Sequence, residues 1–343
     1  MTVRVLVVDD SASMQRLLAA VLETDPEIKV VGTAADPMEA RTAIKALNPD
    51  VVTLDVEMPG MNGIQFLEKI MALRPMPVVM ISSHTQRGTE VSMEALSIGA
   101  FCCLPKPRLD DEQALREICV MVKQAAHSAD SIKRKAKASA KPAPANSDNV
   151  AVNNSIATDL IVIGSSTGGV EALTSLFRMF PADCPPTVVT QHMPAAFTAS
   201  LAGRLNKICA PSVSEARNNE PLERGHIYIA PGGIGHTTVA GNVHWRMRIE
   251  EGSQISGHMP SVDRLFETAA STKRGRTVHA ALLTGMGADG AKGMLKLKEA
   301  GAKTIAQDED TCLVYGMPAA AVRLGAAQHV LPLGKIASAL FSD

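Results

Sequence analysis

The sequence predicts two α/β domains, each built on a mostly parallel β-sheet, with a linker between them. The chain has 343 residues, more than one ordinary domain of about 100 to 200 residues needs. In both halves, short apolar strand-like runs alternate with helix-like stretches, a pattern typical of βαβ units. Residues 126–157 contain few large apolar side chains and separate the two halves. We therefore expect domains at 1–125 and 158–343.

Composition limits the classes of function. A formal net charge of -1 argues against a nucleic-acid-binding or membrane-surface protein whose whole body is basic. The six cysteines form no CxxC pair, which indicates free thiols and a reducing compartment. The first residues lack the pattern of a signal peptide, and no apolar run approaches the roughly 18 residues of a membrane span. We expect a cytoplasmic protein with no membrane insertion and no nucleic-acid partner.

The first domain is predicted to contain five parallel strands. Helix-like stretches such as SMQRLLAAVLET and GIQFLEKIMALR separate the strand-like runs. The runs are Arg4 to Val8, Lys29 to Thr33, Val51 to Leu54, Val78 to Ile81 and Phe101 to Leu104. Short strands that alternate with amphipathic helices predict a parallel sheet covered on both faces.

The segment 126–157 is predicted to be a flexible linker. Its sequence is rich in Ala, Ser, Pro, Asn and Lys, and such a composition cannot bury a core. A basic run (Lys133, Arg134, Lys135, Lys137 and Lys141) favours an extended, self-repelling tether. We assign it no chemistry.

Polar residues stand at the predicted strand ends of the first domain. They are Asp9 and Asp10 after the first strand, Asp55 at the third, Ser82 at the fourth, and Lys106 at the fifth. Functional groups of a parallel sheet gather outside the carboxyl ends of its strands. Capping of a helix by Asp9 and Asp10, with Lys106 a surface charge, is the alternative for each residue alone.

Together, these residues predict a phosphoryl-accepting site. Carboxylates brought together repel one another unless a cation lies among them, and Mg²⁺ suits hard oxygen ligands beside a phosphate. Asp55 is then the nucleophile that forms an acyl phosphate. Mg²⁺ and Lys106 neutralise charge on the phosphoryl oxygens, and Ser82 hydrogen-bonds the phosphate and draws its loop inward.

The strand-end motifs DD, LDVEMPGMNG, ISS and KP, taken in order, resemble those of a response-regulator receiver domain. The resemblance implies a flavodoxin-like fold with strand order 2-1-3-4-5, and a histidine kinase as phosphodonor. It implies roles as follows: Asp55 as phosphoacceptor, Asp9 and Asp10 with Asp55 as metal-binding acids, Ser82 as switch hydroxyl and Lys106 as phosphate-sensing lysine. One departure is Cys103, because receivers often carry an aromatic switch residue three positions before this lysine.

After the linker, LIVIGSSTGG predicts a strand, a tight turn and then a helix. Gly164, Ser166 and Gly168 have GxSxG spacing, which exposes a serine hydroxyl on such a turn. Ser166 is therefore a candidate nucleophile. A dinucleotide-binding loop is the rival interpretation, but it needs GxGxxG and an acid about 20 residues later. The next strand, TVVTQH, ends instead in His192.

His192 is the candidate base for Ser166. One βαβ crossover places the two residues on adjacent strands, about 4.8 Å apart, so that their side chains can meet. A buried carboxylate usually holds the second ring nitrogen of such a histidine, and Asp289 follows a third strand. Asp289 as a simple helix N-cap is the alternative. Other candidates are His236 and His258 for the base, and Asp263 for the acid.

A serine hydrolase also needs donors for the oxyanion, commonly backbone amides at strand-to-helix turns. Met286, between Gly285 and Gly287, offers one such amide, and Thr167 is a second candidate. A tight turn without function is the alternative for GMG.

Earlier in the second domain, TTVAGNVHWRMRI carries a Gly241-Asn242 turn and predicts an antiparallel hairpin. The rest of this domain is predicted to be doubly wound and mostly parallel.

The full order of motifs resembles the chemotaxis protein-glutamate methylesterase family (CheB). After the receiver and linker come IGSSTGG, QHMP, IAPGG, HMPSVD and LLTGMGADGA. The resemblance implies hydrolysis of glutamyl methyl esters on methylated chemoreceptors, with a related glutamine deamidation and no cofactor for the hydrolase. It also implies that phosphorylation of the receiver relieves a block of the catalytic face. A receiver-controlled regulator that binds nucleotide or protein without turnover is the alternative.

Overall fold

The computed structural model describes residues 2–58, 61–82, 86–107, 111–139, 158–241 and 244–342. The chain divides into two compact units, and the division falls within residues 140–157, outside the described part. Each unit is an α/β layer structure in its own right.

The first unit contains one parallel sheet of strand order β2-β1-β3-β4-β5, which confirms the predicted order 2-1-3-4-5. Its strands are β1 (Val3–Val8), β2 (Ile28–Ala34), β3 (Val51–Asp55), β4 (Val78–Ser82) and β5 (Cys102–Pro105). Its helices are α1 (Ala12–Leu22), α2 (Pro37–Leu47), α3 (Gly63–Leu73), α4 (Gln86–Ile98), α5 (Glu112–His127) and α6 (Ala129–Ser139).

Apolar strands buried on both faces position the polar site of this unit. Val5, Leu6 and Val7 of β1 are fully buried, as are the first four residues of β3 to within 1%. Helices cover both faces of such a sheet, so the chain turns from strand to helix at one edge. Asp9 follows β1 and Asp55 ends β3, both at that edge.

The structure differs from the predicted linker over residues 126–139. Helix α5 continues to His127, and α6 follows where we expected an extended tether. The reason is the high helix propensity of Ala, Lys and Arg, which fill this segment, and the burial of Ile132. The rest of the predicted linker, residues 140–157 with Lys141, lies outside the described residues. The domain limits at 125 and 158 stay predictions.

The second unit contains a seven-stranded sheet of order β14-β13-β12-β6-β7-β9-β8, in which every described pairing is parallel. Its strands are β6 (Leu160–Ser165), β7 (Thr187–Gln191), β8 (Ser212–Glu215), β9 (His226–Ile229), β12 (Val278–Leu282), β13 (Lys303–Gln307) and β14 (His329–Leu331). Its helices are α7 (Gly169–Phe177), α8 (Ala195–Ile208), α9 (Val262–Thr272), α10 (Ala291–Glu299), α11 (Met317–Arg323) and α12 (Leu333–Phe341).

The expected hairpin is a separate antiparallel pair. Strand β10 (His236–Ala240) pairs with β11 (Arg246–Glu250), which confirms the prediction of an antiparallel element. Gly241 leaves β10 with positive φ, whereas Asn242, the second residue of the predicted turn, lies outside the described residues.

Strand register brings three junctions of the second unit together. Gly164 on β6 is aligned with Thr190 on β7 and with Leu282 on β12. The residues that follow these strands therefore leave the sheet side by side.

In the described part of the chain, no helix combines the length and the apolar character that crossing a membrane would require.

Candidate functional site

Three carboxylates of the first unit converge at the edge of its sheet. Asp9, Asp10 and Asp55 each offer an oxygen, and these oxygens all lie within 4.8 Å of one another. Asp9 is 0% exposed and Asp55 1% exposed. Lys106 closes the cluster, with its Nζ 2.7 Å from Oδ2 of Asp55 and 3.5 Å from Oδ2 of Asp9. The structure thus brings together four of the residues that the sequence predicts for this site.

The charges of this cluster are only partly balanced. Burial raises the pKa of Asp9 and of Asp55 above the ordinary value, although Lys106 opposes the shift in both. Burial would lower the pKa of Lys106, but its hydrogen bond to Asp55 and the negative charges of Asp55 and Asp9 outweigh burial and raise that pKa. Oδ2 of Asp9 is buried and accepts no hydrogen bond within the described residues. A buried carboxylate oxygen without a donor, beside two further acids, fits a hard divalent cation such as Mg²⁺.

Ser82, the predicted switch hydroxyl, lies beside this cluster. Asp55 is aligned with Ile81 on β4, and Ser82 is the next residue. The backbone carbonyl of Ser82 accepts a bond of 2.9 Å from the amide of Lys106, so the ends of β4 and β5 are tied together. Cys103, which replaces the usual aromatic residue, donates its thiol to the carbonyl of Ser92 in α4 at 3.4 Å. Burial raises the pKa of this thiol to about 12, so it stays protonated.

In the second unit, Ser166 lies in the turn between β6 and α7. Its amide donates to the carbonyl of Thr284 at 3.0 Å, and its carbonyl accepts from Gly169 at 2.7 Å. Gly285 packs directly against it, since a Cβ at Gly285 would lie 2.7 Å from Cβ of Ser166. Ser166 is half-buried and lies between the ends of β7 and β12.

His192 reaches its predicted carboxylate. Its Nε2 lies 2.8 Å from Oδ2 of Asp289, and the side chains are 7% and 1% exposed. An ionised carboxylate only accepts hydrogen bonds, so Nε2 carries the proton. Nδ1 is buried and has no hydrogen-bond partner among the described residues, which leaves it as the basic nitrogen. The backbone amide of His192 donates to Ser165 at 3.0 Å and so holds this residue beside the turn of Ser166.

Asp289 is fixed by the start of α9. Its carboxylate accepts the backbone amides of Val262 at 2.7 Å and Asp263 at 3.0 Å, and the hydroxyl of Ser261 at 2.8 Å. Burial alone would raise the pKa of Asp289, but His192 and these amides outweigh burial and lower it. Asp289 is therefore a charged acceptor at neutral pH. It caps α9 rather than α10, the helix that follows it, whose N-cap is Gly290.

The other acid and base candidates have different contacts. Asp263 accepts the amide of Gly293 at 2.7 Å, and burial, reinforced by the charge of Asp289, raises its pKa to about 6. Nδ1 of His236 accepts the amide of Ser261 at 3.2 Å, while its Nε2 donates to the carbonyl of Ser253 at 2.9 Å. His258 stacks on the ring of His192. Only His192 has its ring bonded to Asp289 in the described structure.

Met286 and Thr167 border the Ser166 turn. Met286 is 38% exposed, and within the described chain neither its amide nor that of Thr167 donates a hydrogen bond. Backbone hydrogen bonds fix the turn at Met286: the amide of Gly285 donates to the carbonyl of Val314 at 3.0 Å, and the carbonyl of Gly285 accepts from the amide of Met317 at 2.8 Å. Two unpaired amides near a serine are the arrangement that an oxyanion requires.

Sequence reasoning missed two supporting residues. The buried amide of Gln191 accepts the hydroxyl of Ser165 at 2.7 Å, and it donates to the carbonyls of Ser166 at 2.9 Å and His192 at 3.0 Å. Ser261 holds Asp289, as described above. The available signals were the position of Gln191 directly before His192, and the SVD segment, in which a serine precedes a helix start.

Comparisons with known proteins identify the family of each domain. A family model described as CheB methylesterase matches residues 161–340, and one described as response regulator receiver domain matches residues 5–120. Proteins named protein-glutamate methylesterase/protein-glutamine glutaminase are similar over nearly the whole chain. The one from Agrobacterium fabrum is 51% identical over 335 residues, which is 97% of this chain and 94% of the relative. The one from Caulobacter vibrioides is 50% identical over 340 residues, 98% of this chain and 97% of the relative.

A solved structure supports the fold of the second unit. The crystal structure of the Thermotoga maritima CheB methylesterase catalytic domain is 39% identical in sequence, with a TM-score of 0.52. It covers 54% of this chain and 97% of that protein.

Proposed function

Because this chain belongs to the CheB methylesterase family and carries a response regulator receiver domain, we propose that Ser166, His192 and Asp289 hydrolyse glutamyl methyl esters of chemoreceptors. Phosphorylation of Asp55 by a chemotaxis histidine kinase activates this hydrolysis. The observation that carries the proposal is the 2.8 Å bond between His192 and Asp289, which leaves Nδ1 of His192 as the basic nitrogen beside the Ser166 turn.

In the first half of the reaction, Nδ1 of His192 accepts the hydroxyl proton of Ser166 as Oγ attacks the ester carbonyl carbon. The amides of Met286 and Thr167 donate to the oxyanion that forms. His192 then returns the proton to the methoxy oxygen, the carbon–oxygen bond breaks, and methanol leaves an acyl group on Ser166. Asp289 keeps the ring oriented and stabilises the imidazolium.

In the second half, His192 removes a proton from water, which attacks the acyl carbon. The bond to Oγ breaks, Ser166 regains its proton, and a glutamate side chain is released. With a glutamine substrate the same steps expel ammonia, consistent with the double name of the relatives. Either substrate gives a receptor with one additional negative charge.

Asp55 is the acceptor of the phosphoryl group in the first unit. Its carboxylate attacks phosphorus, and the bond to the donor histidine breaks. Asp9, Asp10 and Asp55 would hold Mg²⁺, which, when bound, neutralises charge on the phosphoryl oxygens. Lys106 exchanges its 2.7 Å contact with Asp55 for the phosphoryl oxygens, and Ser82 hydrogen-bonds them. We place both reactions in the cytoplasm, where thiols such as Cys119 and Cys184 stay reduced.

Methanol release from methylated receptor tests the catalytic assignment. Ser166→Ala should lower the rate by at least about 10³-fold, because loss of such a nucleophile removes the covalent route. Wild-type protein assayed in parallel, with and without a small phosphodonor and Mg²⁺, tests the switch. Near wild-type release by Ser166→Ala refutes the nucleophile, and an unchanged wild-type rate on phosphorylation refutes the switch.

A further inference from the structure

A tight turn places His258 beside the catalytic ring. The amide of Ile255 donates to the carbonyl of His258 at 3.0 Å, and the amide of His258 donates back at 2.9 Å. The two residues between them, Ser256 and Gly257, both have positive φ, of 52° and 81°, as a two-residue turn of type I′ requires. Three residues later, Ser261 binds Asp289. One short segment therefore contacts His192 and also holds its acid.

The rings of His192 and His258 are stacked. Their centroids are 3.8 Å apart and their planes differ by 9°. A flat aromatic surface at van der Waals distance resists tilting of the ring that lies on it. Tilting of His192 would lengthen its bond to Asp289 and change the direction of Nδ1, the nitrogen assigned as the base. A misplacement of about 1 Å in a catalytic group can cost about 10²-fold in rate.

The charge of His258 matters because the two rings are in contact. Burial lowers the pKa of His258 below its usual value, and His192 lowers it further, whereas Asp289 acts in the opposite direction. His192 follows β7 and Asp289 precedes α10, and these are the titratable groups that act on His258 from the elements around it. At neutral pH the stacked partner is therefore uncharged, and an uncharged ring face does not oppose the proton that His192 accepts.

We propose that His258 is a positioning residue for ester hydrolysis, whose ring fixes the plane of His192 so that Nε2 stays on Asp289 and Nδ1 keeps its direction. This role depends on the proposed function of the Ser166 site. His258 needs no proton of its own for it. An aromatic ring without nitrogen should replace it, whereas a small side chain should not.

Two substitutions test this role through methanol release at saturating and limiting substrate. His258→Ala should lower kcat by about tenfold or more with a smaller change in KM, since the ring acts on the transition state and not on substrate binding. His258→Phe should retain kcat within about threefold. Wild-type kcat in His258→Ala, or an equal loss in both variants, would overturn the proposal.

The pH profile distinguishes positioning from proton transfer by His258. Because burial lowers the pKa of His258, its ring is uncharged at neutral pH and above. His258→Phe, which has no ionisable ring at this position, should therefore follow the wild-type profile of kcat/KM at neutral and alkaline pH. A changed profile in this range would show that His258 transfers a proton, and would contradict the proposal.

His226 offers a matched control. Its ring stacks on Tyr228 with ring centroids 4.3 Å apart. It begins β9, so it lies at the amino end of the parallel strands, whereas the site lies at their carboxyl ends. His226→Phe should keep wild-type kcat and pH profile. Ser166→Ala assayed alongside separates the two claims, because activity in that variant refutes the proposed function, whereas an active His258→Ala beside an inactive Ser166→Ala refutes only the positioning role.

Discussion

Asp263 and Asp289 each bind the start of the other's helix. Asp289, two residues before α10, accepts the first amides of α9, while Asp263, in the first turn of α9, accepts the amide of Gly293 in α10. Both carboxylates are buried, at 4% and 1% exposure. Only Asp289 has an imidazole within hydrogen-bond reach, because Nε2 of His192 lies 2.8 Å from it in the described structure. These mutual contacts tie α9 to α10 and hold Asp289 in place.

Substitution of Asp289 separates its charge from its capping role. Asp289→Asn removes the charge and keeps one oxygen, and it no longer fixes the tautomer of His192. Because Val262 and Asp263 donate to different oxygens of Asp289, the Asn oxygen can accept only one of these two amides. We expect kcat for methanol release to fall by about 10³- to 10⁴-fold with KM changed little, and the thermal transition to fall because one buried amide loses its acceptor. Activity within about tenfold of wild type would show that Asp289 does not orient the base.

Asp263 should make stability depend on pH. Its folded pKa of about 6 lies above the ordinary value of 3.8, so its protonated form favours the fold. Its contribution is complete below about pH 4 and is lost as the pH rises through about 6. Asp263→Asn keeps an acceptor for Gly293 without the charge, and should be more stable than wild type at pH 8 by on the order of 1 kcal/mol.

Thermal unfolding of the full-length variant and wild type between pH 4 and pH 8 measures this difference. The two proteins should converge at the acidic end of the range. Parallel curves across the whole range would mean that Asp263 does not ionise in the folded protein near pH 6.

The contact between Gly285 and Ser166 should make the GMG turn sensitive to one methyl group. In Gly285→Ala the new Cβ would meet Cβ of Ser166 at 2.7 Å and also Sδ of Met317. We expect the Ser166 turn to shift and kcat to fall by about 10²-fold.

Gly203→Ala is the control for Gly285→Ala, because Gly203 lies inside α8 and a Cβ added there would have no neighbour within 4 Å. It should keep its activity and gain about 0.5 to 1 kcal/mol of stability. Equal activities in the two variants would contradict the prediction.

Gln191 and Thr190 form a second matched pair of adjacent buried residues. Gln191→Ala removes the bonds to Ser166 and His192 and leaves the buried hydroxyl of Ser165 without its acceptor, a cost of about 1 to 3 kcal/mol. The hydroxyl of Thr190 has no hydrogen-bond partner in the described structure, so Thr190→Val should be neutral or stabilising. The thermal transition and kcat should both fall only in Gln191→Ala. A greater loss in Thr190→Val would refute this assignment.

Lys106 should be required for activation by phosphorylation and not for ester hydrolysis itself. Lys106→Met removes the cation that lies 2.7 Å from Asp55, so phosphodonor and Mg²⁺ should no longer raise the rate of methanol release. The activity of the unphosphorylated protein should equal that of wild type. Lys123→Met is the control, because Lys123 also bridges two acids, Asp25 at 2.7 Å and Glu27 at 2.9 Å, away from Asp55. It should keep full stimulation, and loss of stimulation in both variants would remove the specific role of Lys106.

The sequence predicted the elements of both sites better than the contacts inside them. Alternating apolar runs and helix-like stretches identified the strands, and the residues after β6 and β7 identified the Ser166 and His192 junctions. Spacing alone did not decide between Asp263 and Asp289, because both are buried acids beside helix starts, and only the fold determines which one faces His192. The sequence also does not show which ring nitrogen of His192 bonds Asp289.

Two further features, helix α6 and the stacking of His258 on His192, could not be predicted from the sequence. Residues 129–139 have a composition that suits a linker and a helix equally well, and the burial of Ile132 favours the helix. Stacking of His258 on His192 depends on the turn at Ser256 and Gly257, and a single sequence without coordinates does not reveal such a contact.

We propose that a hydroxyl, an imidazole and a carboxylate from three strand-to-helix junctions act as one unit. Covalent labelling with a serine-directed phosphonate, followed by peptide mapping, tests this proposal, since only an activated hydroxyl reacts. We predict a single modified residue, Ser166, with labelling that is slowed by at least about 10²-fold in His192→Ala and in Asp289→Asn and unaffected in His226→Phe. Labelling of a different residue, or wild-type labelling of Ser166 in the absence of the imidazole, would contradict the account.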